Sequence, residues 1–149
     1  MESMKAHAAF SLMLMAGSVV LPQAAGASSE AFDSVGCVLQ KGNSAVLVDL
    51  TGTQVFEIWA AKKTKLRRDL IGSKVRMVGA IDPSATPSPE SGAQRVLVMG
   101  GIKRTEKGGC ADLATKVGAS AVAERDIETP VATGPAAAAA TAAANSRLQ

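Results

Sequence analysis

The chain has 149 residues, a mild formal charge of +3, two cysteines, one histidine and no tyrosine. That length allows one domain of ordinary size. The only histidine, His7, lies within the first 27 residues, in a stretch with the marks of an export signal. The rest of the chain therefore has no imidazole for general-base catalysis, nucleophile activation or metal ligation.

Residues 1–27 read as a secretory signal peptide. Lys5 supplies a positive start, and the apolar run that follows contains Phe10, Leu12, Leu14, Val19 and Val20. Pro22 then breaks any helix, and Ala25-Gly26-Ala27 has the small-x-small form of a cleavage site. The run is too short for a comfortable membrane span, and no later segment approaches about 20 apolar residues. The sequence reading is thus of an exported protein, periplasmic or secreted, with no transmembrane segment after cleavage. Met4 is an alternative start to Met1. Ser34-Val35-Gly36-Cys37 loosely resembles a lipidation site, but lipidation would leave Cys110 unpaired, and exported cysteines usually pair.

Residues 28–33 read as a short linker and 34–110 as a β domain. Five apolar or alternating segments, each bounded by turn residues, predict strands over 34–40, 45–50, 53–60, 74–81 and 94–102. In the third, Phe56 and Ile58 share one face, and Val55, Glu57 and Trp59 share the other. Between the third and fourth strands, residues 62–70 are charged, with Leu66 and Leu70 four apart. That pattern predicts a short helix laying one apolar edge on the sheet. Gly79 predicts a bend or bulge in the fourth strand, and Gly100-Gly101 another in the fifth. The fifth strand is almost wholly apolar, which predicts burial on both faces.

Three strands, a helical connection and two more strands is the order of an OB-fold, a five-stranded Greek-key barrel. In that arrangement the first strand is expected beside both the fourth and the fifth. Cys37 in the first strand and Cys110 after the fifth would then form a disulfide clasping the domain. For a loop of 73 residues such a bond is worth at most about 4 kcal/mol in the chain-entropy picture. A core drawn from roughly 75 residues needs that kind of staple.

The segments 36–42 (Gly-Cys-Val-Leu-Gln-Lys-Gly), 48–53 (Val-Asp-Leu-Thr-Gly-Thr) and 70–79 (Leu-Ile-Gly-Ser-Lys-Val-Arg-Met-Val-Gly) carry a resemblance. They resemble a family of small exported bacterial OB-type domains of unknown function and, more distantly, OB-fold proteins of the bacterial cell envelope. The resemblance covers about half the chain and implies fold and compartment. It brings no catalytic or binding residues with it.

Chemistry is sparse. Asp49, Glu57, Asp69 and Asp82 show no acid/base spacing, and the glycine pairs lack a phosphate-loop pattern. The reading is non-enzymatic, with no cofactor and no metal site. Between residues 41 and 107 there are 12 Lys/Arg against 6 Asp/Glu, a basic balance that suggests an anionic envelope polymer as partner, or else an envelope protein. The candidate binding residues are Trp59, Lys62, Lys63, Arg67, Arg68, Lys74 and Arg76. Against them stands the plainer alternative of a solvated basic helix and a Trp59 that packs beneath a helix or loop. Nucleic acid is disfavoured, because single-strand binders interleave several aromatics and at most one is available here. The alternative functions are a small exported hydrolase or redox protein, or a single-stranded nucleic-acid OB-fold. Residues 111–149, rich in alanine from 136 onward, read as a flexible tail, because a short alanine helix is marginal alone in water.

Overall fold

A computed structural model of the chain describes residues 28–62 and 66–148. The signal-peptide reading and Lys63 lie outside the described residues. Five strands close into a barrel in the order β1-β2-β3-β5-β4. These are β1 (Glu30–Lys41), β2 (Ser44–Asp49), β3 (Val55–Ala60), β4 (Ser73–Asp82) and β5 (Arg95–Gly109). All neighbours are antiparallel except β3 and β5, which run parallel, with Ile58 opposite Leu97. The first strand was expected beside both the fourth and the fifth, but β1 closes the barrel on β4 alone; β5 lies between β3 and β4 and is no neighbour of β1. The proposed linker is also shorter than expected, because Glu30 to Asp33 already pair with β4.

Strand alternation sorts the apolar residues. Ala45 and Leu47 of β2, Phe56 and Ile58 of β3, Val75 and Met77 of β4, and Leu97 and Met99 of β5 fill the barrel interior. The complementary positions are apolar as well, so the barrel's outer surface carries two further apolar faces. One holds Cys37, Leu39, Val46 and Val48. The other holds Ala80, Val96 and Val98, with Trp59 beside them. Neither face could stand against water, and both are covered by the chain beyond residue 110.

That segment was expected to be flexible, and it is instead a wrap around the barrel. Helix α1 (Ala111–Val117) starts directly after Cys110 and lays Leu113, Ala114 and Val117 on the first outer face. Residues 119–132 then cross the barrel end. They are tied by Gln40 and Ser120, which exchange both backbone hydrogen bonds at 2.9 and 2.7 Å, and by Ala123 and Ile127 packed on the inner core. Ala60 receives the strap in the same way, donating to the Pro130 carbonyl and accepting from Ala132, both at 2.8 Å. Helix α2 (Pro135–Arg147) lies across β4 and β5 and buries Ala136, Ala140 and Ala144, one residue per turn. The physical reason for the difference is tertiary. A helix too weak to persist alone is held once its small side chains let it sit flush on a sheet that needs covering.

Gly100 and Gly101 make that seat. Val78 pairs with Gly101 and Gly79 with Met99, so Gly100 falls out of the ladder as a bulge. A Cβ on Gly100 would sit 1.9 Å from the Ala140 carbonyl oxygen, and one on Gly101 2.3 Å from Leu148 Cδ1. The bulge expected at Gly100-Gly101 is present; the separate one expected at Gly79 is not, since Gly79 pairs with Met99 beside this same register shift.

The expected helix over 62–70 is not formed among the described residues. Only Arg68–Leu70 make a single 3-10 turn there, ended by Ile71 and Gly72. The apolar edge is nonetheless used, as Leu66 and Leu70 both plug the inner core. Gly72 has φ +82 and takes part in the closure by donating its N–H to the Val38 carbonyl at 2.7 Å.

Replacing Gly100 by valine should lift α2 without opening the barrel, because the clash is confined to the helix backbone. The expected cost is about 1–3 kcal/mol, typical of overpacking. Amides from Ala136 to Ala144 should lose hydrogen-exchange protection while those of β2 and β4 keep theirs. Equal protection in wild type and variant would mean that the helix is not seated by the glycine.

Candidate functional site

The sequence-predicted residues do not gather on one face. Trp59 is on the outward side of β3, as its spacing required, but it is half-buried in the apolar cluster beneath the strap and α2. Its Nε1 is buried with no hydrogen-bond partner among the described residues. An indole so placed is no exposed stacking platform, and of the two readings of Trp59 the packing one is correct. Lys62 lies two residues past the end of β3, is exposed, and makes no ion pair with a described residue. It stands at the rim of a cavity between β5 and α2.

The other candidates are largely engaged with the protein itself. Arg67 holds Asp69 through two hydrogen bonds of 2.9 and 2.6 Å, and Arg104 reaches the same carboxylate at 2.7 Å. Arg68 donates to the Ala123 carbonyl at 3.1 Å and lies 3.6 Å from Asp126, fastening the 3-10 turn to the strap. Lys74 pairs with Glu106 at 3.1 Å across β4 and β5. Arg76 grips Asp33 of β1 with both arms of its guanidinium, at 2.9 and 2.8 Å, and Arg147 at the end of α2 joins the same carboxylate at 3.2 Å. The hydrogen bond from Arg76 holds the Asp33 carboxyl well below its usual range, to about 2, against an upward push from burial and with further help from Arg147.

The four carboxylates considered for acid/base work are each occupied structurally. Asp49 ties the β2–β3 turn by accepting from the Thr53 and Gln54 amides, both at 2.8 Å. Asp69 sits between two arginines. Asp82 accepts from the Ser84 amide at 2.9 Å. Glu57 is the surprise: its spacing put it on an outward face, yet it is 3% exposed. It accepts from Ser44 Oγ at 2.9 Å and from the Ser88 amide at 2.7 Å, which clips the proline-rich β4–β5 loop to the barrel. Among the described residues no group of three or more His, Cys, Asp or Glu side chains converges as a metal site would need.

Cys37 and Cys110 are disulfide-bonded, with Cα atoms 5.9 Å apart and neither residue exposed. β4 brings them together, because it faces Cys37 with Lys74 on one side and Gly109 with Ser73 on the other. No helix of the described residues is long and apolar enough to cross a membrane.

A second group of cations was missed by the sequence reading. Lys103 is directly opposite Arg76 in the β4–β5 ladder, and both Lys103 and Lys107 are exposed without an ion pair to a described residue. Beside them Lys74, Arg76 and Arg147 hold the two carboxylates Glu106 and Asp33. The signal for them was the continuation of the fifth strand past Ile102 into Lys103-Arg104-Thr105, where alternation of charge replaces the apolar run. Comparison of the chain with protein-family models, curated proteins and solved structures finds no match.

Replacing Asp33 with asparagine tests the three-way pairing. Its folded pKa of about 2 lies below the ordinary 3.8, so its stabilisation is complete above about pH 4 and is lost as the pH falls through about 2. Because the arginines are solvent-screened, the contribution is about 1 kcal/mol. Urea unfolding should separate Asp33→Asn from wild type at about pH 7 and much less at about pH 2. A gap of the same size at both values would rule out the ionised pair as its source.

Proposed function

We propose that the chain is an exported, non-enzymatic OB-type barrel that acts as a binding module of the cell envelope and contacts an anionic polymer. The barrel order β1-β2-β3-β5-β4 with its parallel β3–β5 pair supports the OB reading. The buried disulfide is compatible with an oxidising compartment. The observation that carries the binding reading is the excess of cations on β4 and β5, where Lys103 and Lys107 have no carboxylate partner among the described residues. This narrows the candidate surface. Lys74 and Arg76 stay in it, Lys103 and Lys107 join it, and Trp59, Arg67 and Arg68 leave it because the fold already uses them.

A row of cations along two neighbouring strands suits a repeating anion such as a phosphate- or carboxylate-bearing envelope polymer. Long side chains there can follow successive charges without a shaped pocket. Such attraction is electrostatic and acts over about 8–10 Å at ordinary ionic strength, so it should fade as salt rises.

Charge reversal of Lys103 and Lys107 to glutamate should weaken binding to an anionic polysaccharide about tenfold or more and flatten its salt dependence, read by calorimetric titration at two ionic strengths. Arg67→Glu, aimed outside the ribbon, should change little. Binding that survives the double reversal would remove the ribbon from consideration.

Export is checked separately by intact mass of the protein recovered from the periplasm or medium, before and after reduction and alkylation. The expected chain begins at Ser28, and its two cysteines take up alkylating agent only after reduction. A retained leader, or two free thiols, would overturn the compartment.

A further inference from the structure

The cavity between the barrel and α2 has polar lining residues that neither the fold nor the basic ribbon explains. Its volume is about 190 Å³, and Lys62, Gly100, Gly101, Ile102, Thr141 and Asn145 line it together with Ala60, Ala61 and Met99. From Ala136 to Asn145 the helix is alanine except at Thr141 and Asn145. Those two are four apart, so they share a helical face, and both line this one cavity.

The remaining wall is equally particular. Gly100 is the bulged residue that drops out of the β4–β5 ladder, which leaves its backbone outside the regular pairing. Ala60, Ala61, Met99 and Ile102 give the cavity an apolar side, and Lys62 sets a full positive charge at its rim. Thr141 donates its hydroxyl hydrogen to the Ala137 carbonyl at 3.0 Å, so its oxygen remains an acceptor. The Asn145 amide offers both donors and an acceptor. The last turns of α2 carry a partial negative charge that opposes an anion. This is a fractional charge spread over several carbonyls, against the whole charge of the Lys62 ammonium.

We infer that this cavity is a binding site for a short aliphatic carboxylic acid, of about four to six carbons to suit its volume. The carboxylate would meet Lys62 and the Asn145 amide at the rim, and the alkyl chain would lie on Met99, Ile102 and the paired alanines. The site is separate from the β4–β5 ribbon, so the failure of either leaves the other standing.

The test uses the full chain with hexanoate as probe and hexanol and hexylamine as controls of equal length, followed by amide nuclear magnetic resonance. Hexanoate should bind saturably, with a Kd of about 1 mM for so small a ligand, and shift the signals of Gly100, Gly101, Thr141 and the Asn145 side chain. Hexylamine should not. Lys62 and Asn145 are exposed, so Lys62→Met and Asn145→Leu should fold normally, which the unchanged remainder of the spectrum would verify. Each should weaken hexanoate at least about fivefold, as loss of a hydrogen bond to a charged group does. Equal binding of hexanol and hexanoate, shifts scattered over the surface, or full affinity in Lys62→Met would each overturn the assignment.

Discussion

The structure depends on one constraint: β2 and the first half of β5 are apolar on both faces, and a closed barrel can bury only one of them. Val46 and Val48 alternate with Ala45 and Leu47, and Val96 and Val98 with Leu97 and Met99, yet all of these are buried. The inner set is paid for by closure. The outer set needs a second layer, and among the described residues those after β5 supply it. The domain is therefore an inner barrel with an outer wrap.

The disulfide governs where that wrap starts. Cys110 directly follows the last barrel strand and is the N-cap of α1, and its bond to Cys37 pins the start of the helix to the outer face that α1 covers. The clasp thus serves two layers. It limits the freedom of the unfolded chain, as any long loop closure does. It also fixes the point from which a helix of only seven residues must reach Leu39, Val46 and Val48. At the far end of the wrap the means are different. α2 has almost no large side chains to bury, so it relies on close approach at Gly100 and Gly101 and on Arg147 meeting Asp33. Burying an alanine methyl yields only about 0.8 kcal/mol, and such a helix is held by fit more than by hydrophobic bulk.

Much of this was legible in the sequence, and the reasons for the gaps are specific. The strands, the bulge at Gly100-Gly101, the facing of Phe56 and Ile58, and the Cys37–Cys110 pair all follow from local pattern and spacing. The wrap does not, because its residues are individually unremarkable. Leu113, Val117 and Ile127 lack a common period since they serve different surfaces, the first two under α1 and the third at the barrel end. The alanine run resembles low complexity because a helix packed flush on glycines has no use for larger side chains. One signal was available. The fifth strand, apolar on both faces, demanded a cover, and Gly100-Gly101 matched small residues four apart at Ala136, Ala140 and Ala144.

The candidate site was harder to read for a related reason. A list of cations gives charge without partners, and partnership decides which of them face outward with charge to spare. Arg67, Arg68, Lys74 and Arg76 look alike in sequence, but the fold gives each a carboxylate, whereas Lys103 and Lys107 are given none among the described residues. The same logic moves Trp59 from ligand platform to packing element. The β3 face that would carry an aromatic contact is the one the strap crosses at Pro130 and Ala132. Covering the barrel thus takes that face out of use and leaves charge on β4 and β5 as the accessible feature. The wrap that completes the core is in this way also what selects the charged surface left exposed.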